Sequence, residues 1–86
     1  MKSFSYTVQD PVGIHARPAG LLVKAAKEFA DTEITIAKDG KVVKATQLMK
    51  LMGLGVKSGD TVTVTAEGTS EDAAIAAMEQ FFKSNL

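Results

Sequence analysis

The chain has 86 residues, with ten Lys plus Arg balanced by ten Asp plus Glu, a single histidine and no cysteine. That length accommodates one hydrophobic core, so residues 1–86 are expected to form one domain. Zero net charge argues against a general nucleic-acid binder, the missing thiols exclude disulfides and cysteine chemistry, and one histidine without cysteine cannot assemble a zinc site, so no metal or cofactor is expected.

At the N-terminus, Phe4, Tyr6 and Val8 alternate with Ser3, Ser5 and Thr7, which predicts a strand with one buried face rather than an apolar leader. No later run approaches membrane-spanning length, so the expectation is a soluble cytoplasmic protein that makes no membrane contact. A turn at Asp10-Pro11-Val12-Gly13 follows. Ala19, Leu22, Val23, Ala26, Phe29 and Ala30 then recur at helical spacing, predicting a helix over about 16–29 whose other face carries Arg17, Gly20, Leu21, Lys24 and Lys27. Pro18 suits a first helical turn but biases Arg17 away from helical geometry, so the helix starts at Ala16 or at Pro18.

Ile34 and Ile36 alternate with Glu33 and Thr35 as a second strand, and Asp39-Gly40 predicts a tight hairpin into a third strand, Val42 to Ala45. A short helix over 47–52 is stopped by Gly53 and Gly55. Val62, Val64 and Ala66 alternate with Thr61, Thr63 and Thr65 as a fourth strand. A terminal helix over about 70–84 buries Ala74, Ile75, Met78, Phe81 and Phe82, with Thr69 and Ser70 as caps and Glu71 and Asp72 complementing the dipole. The order is βαββαβα. Each regular strand shows a Ser/Thr-rich face, so the fold class is α+β: an open-faced β-sandwich, with a four-stranded antiparallel sheet and three helices on one face.

His15, in Gly13-Ile14-His15-Ala16-Arg17-Pro18, stands where a loop becomes a helix. Imidazole can be a neutral nucleophile near neutral pH, and a helix N-terminus disfavours imidazolium while favouring an anion. His15 is therefore a candidate phosphoryl acceptor, with the amides of the Ala16, Arg17 and Pro18 turn and the Arg17 guanidinium to hold the phosphate. A solvated surface residue or a helix cap is the plain alternative. A nucleophilic triad lacks its other members.

Two surface features stand out. Leu48, Met49, Leu51, Met52 and Leu54 cannot all point inward from barely two turns, so some form an exposed patch suited to docking, although any one of them could instead complete the core. Leu21 and Gly20 sit on the outer face of the first helix, where glycine costs about 1 kcal/mol relative to alanine. Close approach of a partner backbone and close packing within the domain both account for Gly20. The only formal charges from His15 to Lys27 are Arg17, Lys24 and Lys27, a small positive field that suits acidic partners or is simply a solvated face.

These residues resemble the HPr phosphocarriers of the phosphoenolpyruvate-dependent sugar phosphotransferase system over essentially the whole chain, with 13–18 similar to the active-centre signature and Leu48 to Gly55 similar to the second-helix region. The resemblance implies that His15 accepts a phosphoryl group from enzyme I and passes it to EIIA domains of sugar permeases, with Arg17 as its electrostatic partner. This is a covalent intermediate in phosphoryl transfer rather than an independent enzyme, and a monomer is expected. It also implies a docking face of Gly20, Leu21, Lys24, Lys27, Leu48, Met49, Lys50 and Met52. Many relatives carry a serine at the second helix that HPr kinase phosphorylates for a catabolite-control regulator. Gln47 stands there instead, leaving Thr46 as a candidate regulatory hydroxyl or a plain cap. Val12 replaces a Ser or Asn frequent beside the phosphate, so a less firmly held phosphate is expected. A regulatory binding module on the same fold, acting by docking rather than by sugar transport, is the alternative reading. A nucleic-acid binder is disfavoured, because the strands lack exposed stacking aromatics.

Overall fold

The computed structural model describes residues 1–14 and 16–86; His15 lies outside the described residues. Seven elements follow in the expected order: β1 (Lys2–Thr7), α1 (Ala16–Lys27), β2 (Thr32–Lys38), β3 (Lys41–Lys44), α2 (Leu48–Gly53), β4 (Thr61–Gly68) and α3 (Glu71–Asn85). The four strands form one antiparallel sheet in the order β1-β4-β2-β3, so β4 fills the space between β1 and β2.

Alternation in the strands divides the sheet cleanly. Ile34, Ile36, Val62, Val64 and Ala66 are buried against the helices, as are Leu22, Ala26, Leu51, Met78 and Phe82 from the helical side. Removing each such large side chain from water is worth roughly 1.5 to 3 kcal/mol, which is what holds sheet and helices together. Phe82 is the hub, meeting Phe4, Tyr6 and Phe81 edge to face at centroid distances of 5.9, 5.6 and 6.2 Å. On the open face, Ser5 pairs with Thr63 and Thr7 with Thr61 through their hydroxyls at 3.3 and 2.9 Å. The β2–β3 hairpin turns on Asp39 and Gly40, both at positive φ (51° and 83°), as the Asp-Gly pair predicts.

Boundaries depart from the sequence reading for identifiable reasons. Val8 is buried but leaves the β1 ladder to bond Asp60 and Gly59. The first helix starts at Ala16, the pre-proline preference of Arg17 yielding to burial of Pro18 and Ala19. It ends at Lys27 rather than 29, because Glu28 and Phe29 donate to carbonyls only three residues back, at 3.2 and 3.1 Å. The third strand begins one residue earlier than expected, and the fourth runs on to Gly68, whose φ of 148° and closeness to the Asp31 carbonyl leave no room for a side chain. Gly53 does not stop the second helix. It is the last helical residue, and Gly55, at φ 72°, makes the left-handed exit.

Candidate functional site

The segment before α1 is built from short backbone ties. Asp10 accepts the Gly13 N–H on its carbonyl at 3.0 Å and the Val12 N–H on Oδ1 at 2.9 Å, giving a β-turn with Asp first, Pro second and Gly fourth. Gln9 and Asp10 donate to the Leu86 carbonyl at 2.6 and 2.8 Å. Val8 donates to Asp60 and accepts from Gly59, at 2.9 and 2.8 Å, and Ile14 donates to Val56 at 3.1 Å. Gly13 has φ 78° and presses on the 56–57 backbone so closely that a Cβ would meet the Val56 carbonyl oxygen and lie 2.7 Å from Lys57 Cα. Only glycine satisfies both demands.

This segment delivers the chain into the first turn of α1. The N–H groups of Ala16 and Arg17 have no helical carbonyl four residues back. No acidic side chain occupies that turn. Arg17 is exposed and makes no ion pair among the described residues. With Pro18, Leu21, Asp10, Ser84 and Asn85 it lines a cleft of about 270 Å³. Sequence reading missed Ser84 and Asn85, which the packing of α3 on α1 brings to Arg17 across nearly 70 positions of chain. Val12 is 64% exposed, and its N–H is committed to the Asp10 carboxylate.

The proposed docking residues fall on two neighbouring helices. Along α1, Leu21, Lys24 and Lys27 are exposed, and a Cβ built at Gly20 would meet nothing within 4 Å, so close packing within the domain does not explain that glycine. Along α2, which packs beside α1, Leu48, Lys50 and Met52 are exposed and Met49 is 80% exposed, whereas Leu51 and Leu54 are buried and belong to the core. The suspicion that only part of this apolar run points inward is thus resolved residue by residue. Lys27 lies apart from Arg17, about 15 Å along the helix axis at 1.5 Å per residue. It lines a second cleft, of about 260 Å³, together with Phe29, Glu33, Lys44 and Thr46.

Gln47, not Thr46, is the α2 N-cap, and its side chain makes no cap bond. Ser70 does stand at the α3 N-cap, but its hydroxyl donates to Asp31 at 3.0 Å and makes no cap bond. Two carboxyls stand below their ordinary range. The Lys38 ammonium and the Lys57 N–H hold Asp60 down, and the Met1 ammonium and the Gly68 N–H do the same for Glu71.

A family model described as the PTS HPr component phosphorylation site matches residues 2–84. The chain belongs to the HPr family. It is 36% identical over 85 residues to the phosphocarrier protein HPr of Mycoplasma genitalium, covering 99% of this chain and 97% of that one. The HPr of Mycoplasma capricolum is 39% identical over 80 residues, covering 93% and 89%. Among solved structures, an HPr from Thermoanaerobacter tengcongensis superposes with a TM-score of 0.92 at 39% identity, covering 98% of this chain and 93% of that one. Membership of the HPr family brings the open-faced sandwich with it, and at a coarse level it makes the other proteins of the phosphotransferase system the partners. No helix among the described residues is long and apolar enough to cross a membrane.

Proposed function

We propose that this HPr-family chain is a phosphocarrier in which His15 takes a phosphoryl group from phospho-enzyme I and hands it to EIIA domains of sugar permeases. The observation that carries this reading is the entry into α1. The tied 8–14 segment leads into a helical first turn that carries no acidic side chain, with the Arg17 guanidinium, in no ion pair among the described residues, at its edge. On acceptance, a His15 ring nitrogen forms its bond to phosphorus as the donor's bond to phosphorus breaks, with first-turn amides and Arg17 donating to the phosphoryl oxygens; on the onward transfer that nitrogen–phosphorus bond breaks as the EIIA acceptor forms its own. Those amides are preoriented and carry most of the holding, since an exposed ion pair contributes only about 0 to 1 kcal/mol. The cleft beside Arg17 is small and polar at its rim, which suits a relay that borrows its partners' substrate sites. A cytoplasmic monomer presenting the α1–α2 face to successive partners completes the proposal.

Incubation with enzyme I, magnesium and phosphoenolpyruvate should add one acid-labile phosphoryl group, and an EIIA domain should then remove it. A His15→Ala protein that is still labelled refutes the assignment, and a labelled protein that never passes the group on favours the docking-module reading instead. Regulation by HPr kinase would have to use the exposed Thr46, because Gln47 offers no hydroxyl. ATP-dependent labelling abolished in Thr46→Ala is the corresponding test.

A further inference from the structure

The segment 55–60 lies between two groups of contacts. On one side it carries the loop before α1, through Val8 N–H to Asp60, Gly59 N–H to Val8, Ile14 N–H to Val56 and the close seat of Gly13 on Val56 and Lys57. On the other side a single side chain grips it at both ends. Lys38, at the end of β2, donates to the Gly55 carbonyl at 2.8 Å and pairs with Asp60 Oδ2 at 2.8 Å, and that same carboxyl oxygen accepts the Lys57 N–H at 2.9 Å. The Lys38 side chain is 17% exposed, far less than the Lys2 partner of the surface pair with Asp72, at 55%. Of the three ion pairs among the described residues, this is the one that fastens a loop to the sheet rather than an end of the chain to α3.

We infer that Lys38 is a positioning residue for phosphoryl transfer, acting through Gly55 and Asp60 on the loop that carries the chain to residue 15. This rests on the proposed acceptor role of His15, although no part of the grip touches that residue's neighbours directly. α2 has anchors of its own in the buried Leu51 and Leu54, so the grip acts on the accepting loop more than on the docking patch. Losing the ammonium leaves the Asp60 carboxylate without its counter-ion and the Gly55 carbonyl without its donor, and the 55–60 floor relaxes under Gly13 and Ile14. A displacement well under 1 Å at that loop is enough to slow an in-line transfer.

The experiment compares wild type, Lys38→Arg, Lys38→Met and Asp60→Asn. It reads saturation kinetics of phosphoryl transfer from phosphorylated enzyme I, the unfolding midpoint, and the amide chemical shifts of Gly13 and Ile14. Lys38→Met should lower kcat roughly tenfold with KM changed less than about twofold, at a temperature where the protein is fully folded. The Gly13 and Ile14 amides should move in that protein, and Lys38→Arg should restore both readouts. Asp60→Asn, which keeps the shape of the contact, should show a smaller change of the same kind, and it serves as the deciding variant if Lys38→Met does not fold. A folded Lys38→Met protein with wild-type kcat, or with lowered kcat but unmoved Gly13 and Ile14 amides, overturns the inference. If wild type itself takes no phosphoryl group, it is the acceptor assignment that has failed. The amide shifts then decide alone: moved, they keep Lys38 as the residue that sets this loop, and unmoved, they dismiss it.

Discussion

Gly13 and Gly20 stand seven residues apart and call for opposite treatment. At Gly13 a methyl group meets the Val56 carbonyl, and φ is 78°. Gly13→Ala should therefore cost roughly 2 to 4 kcal/mol, read as a lower urea midpoint, because left-handed backbone and steric contact add. At Gly20 an added Cβ would meet none of the described residues beyond its own helix within 4 Å and the residue is mid-helix, so Gly20→Ala should stabilise by about 1 kcal/mol in the same titration. If the glycine is kept for a partner's close approach, the stabilised protein should also show a higher KM for enzyme I. The peculiarity of Gly20 was legible in the sequence, because glycine is a poor helix residue wherever it packs. The demand on Gly13 was half legible: a turn glycine could be read from Asp10-Pro11-Val12-Gly13, but not the backbone of residues 56–57 pressed against it from more than 40 positions away.

At the level of elements, α2 shows what periodicity can and cannot say. Five apolar side chains on a helix of six residues and its exit could not all be buried, and the structure separates Leu51 and Leu54 inside from Leu48, Met49 and Met52 outside. Leu51→Ala should destabilise by about 2 to 5 kcal/mol, the range for emptying a well-packed leucine site. Met49→Lys should leave the unfolding midpoint within about 0.5 kcal/mol of wild type while raising KM for the phosphoryl donor. Strand and helix order was readable because apolar positions recur at two or at about 3.6 residues. Two ends were not, because they depend on bonds that periodicity does not register: Val8 turned aside by Asp60, and the last turn of α1 tightened onto Ala25 and Ala26. The Arg17 cleft was legible for Arg17 and Pro18, which share a motif. Ser84 and Asn85 join it by packing alone.

Across the whole molecule, charge is spent on joining distant parts of the chain. Asp60 and Glu71 lie below their ordinary values of 3.8 and 4.5, so the unfolded chain binds protons more readily than the folded one. What they add to stability is present above those ordinary values and is lost as pH falls through the lowered folded ones. The share of the urea midpoint that these two carboxylates supply should accordingly be steady above about pH 5 and decline below about pH 4, and the decline should be shallower in Asp60→Asn. The sheet order has a temporal consequence as well. The central partner of both β1 and β2 comes last of the four in chain order, so a chain emerging from the ribosome holds only the β2–β3 hairpin of this sheet until residues 61–68 are out. Until then the greasy side of α1 has only that hairpin to cover it, and the nascent polypeptide is most open to proteases and chaperones before the central strand arrives.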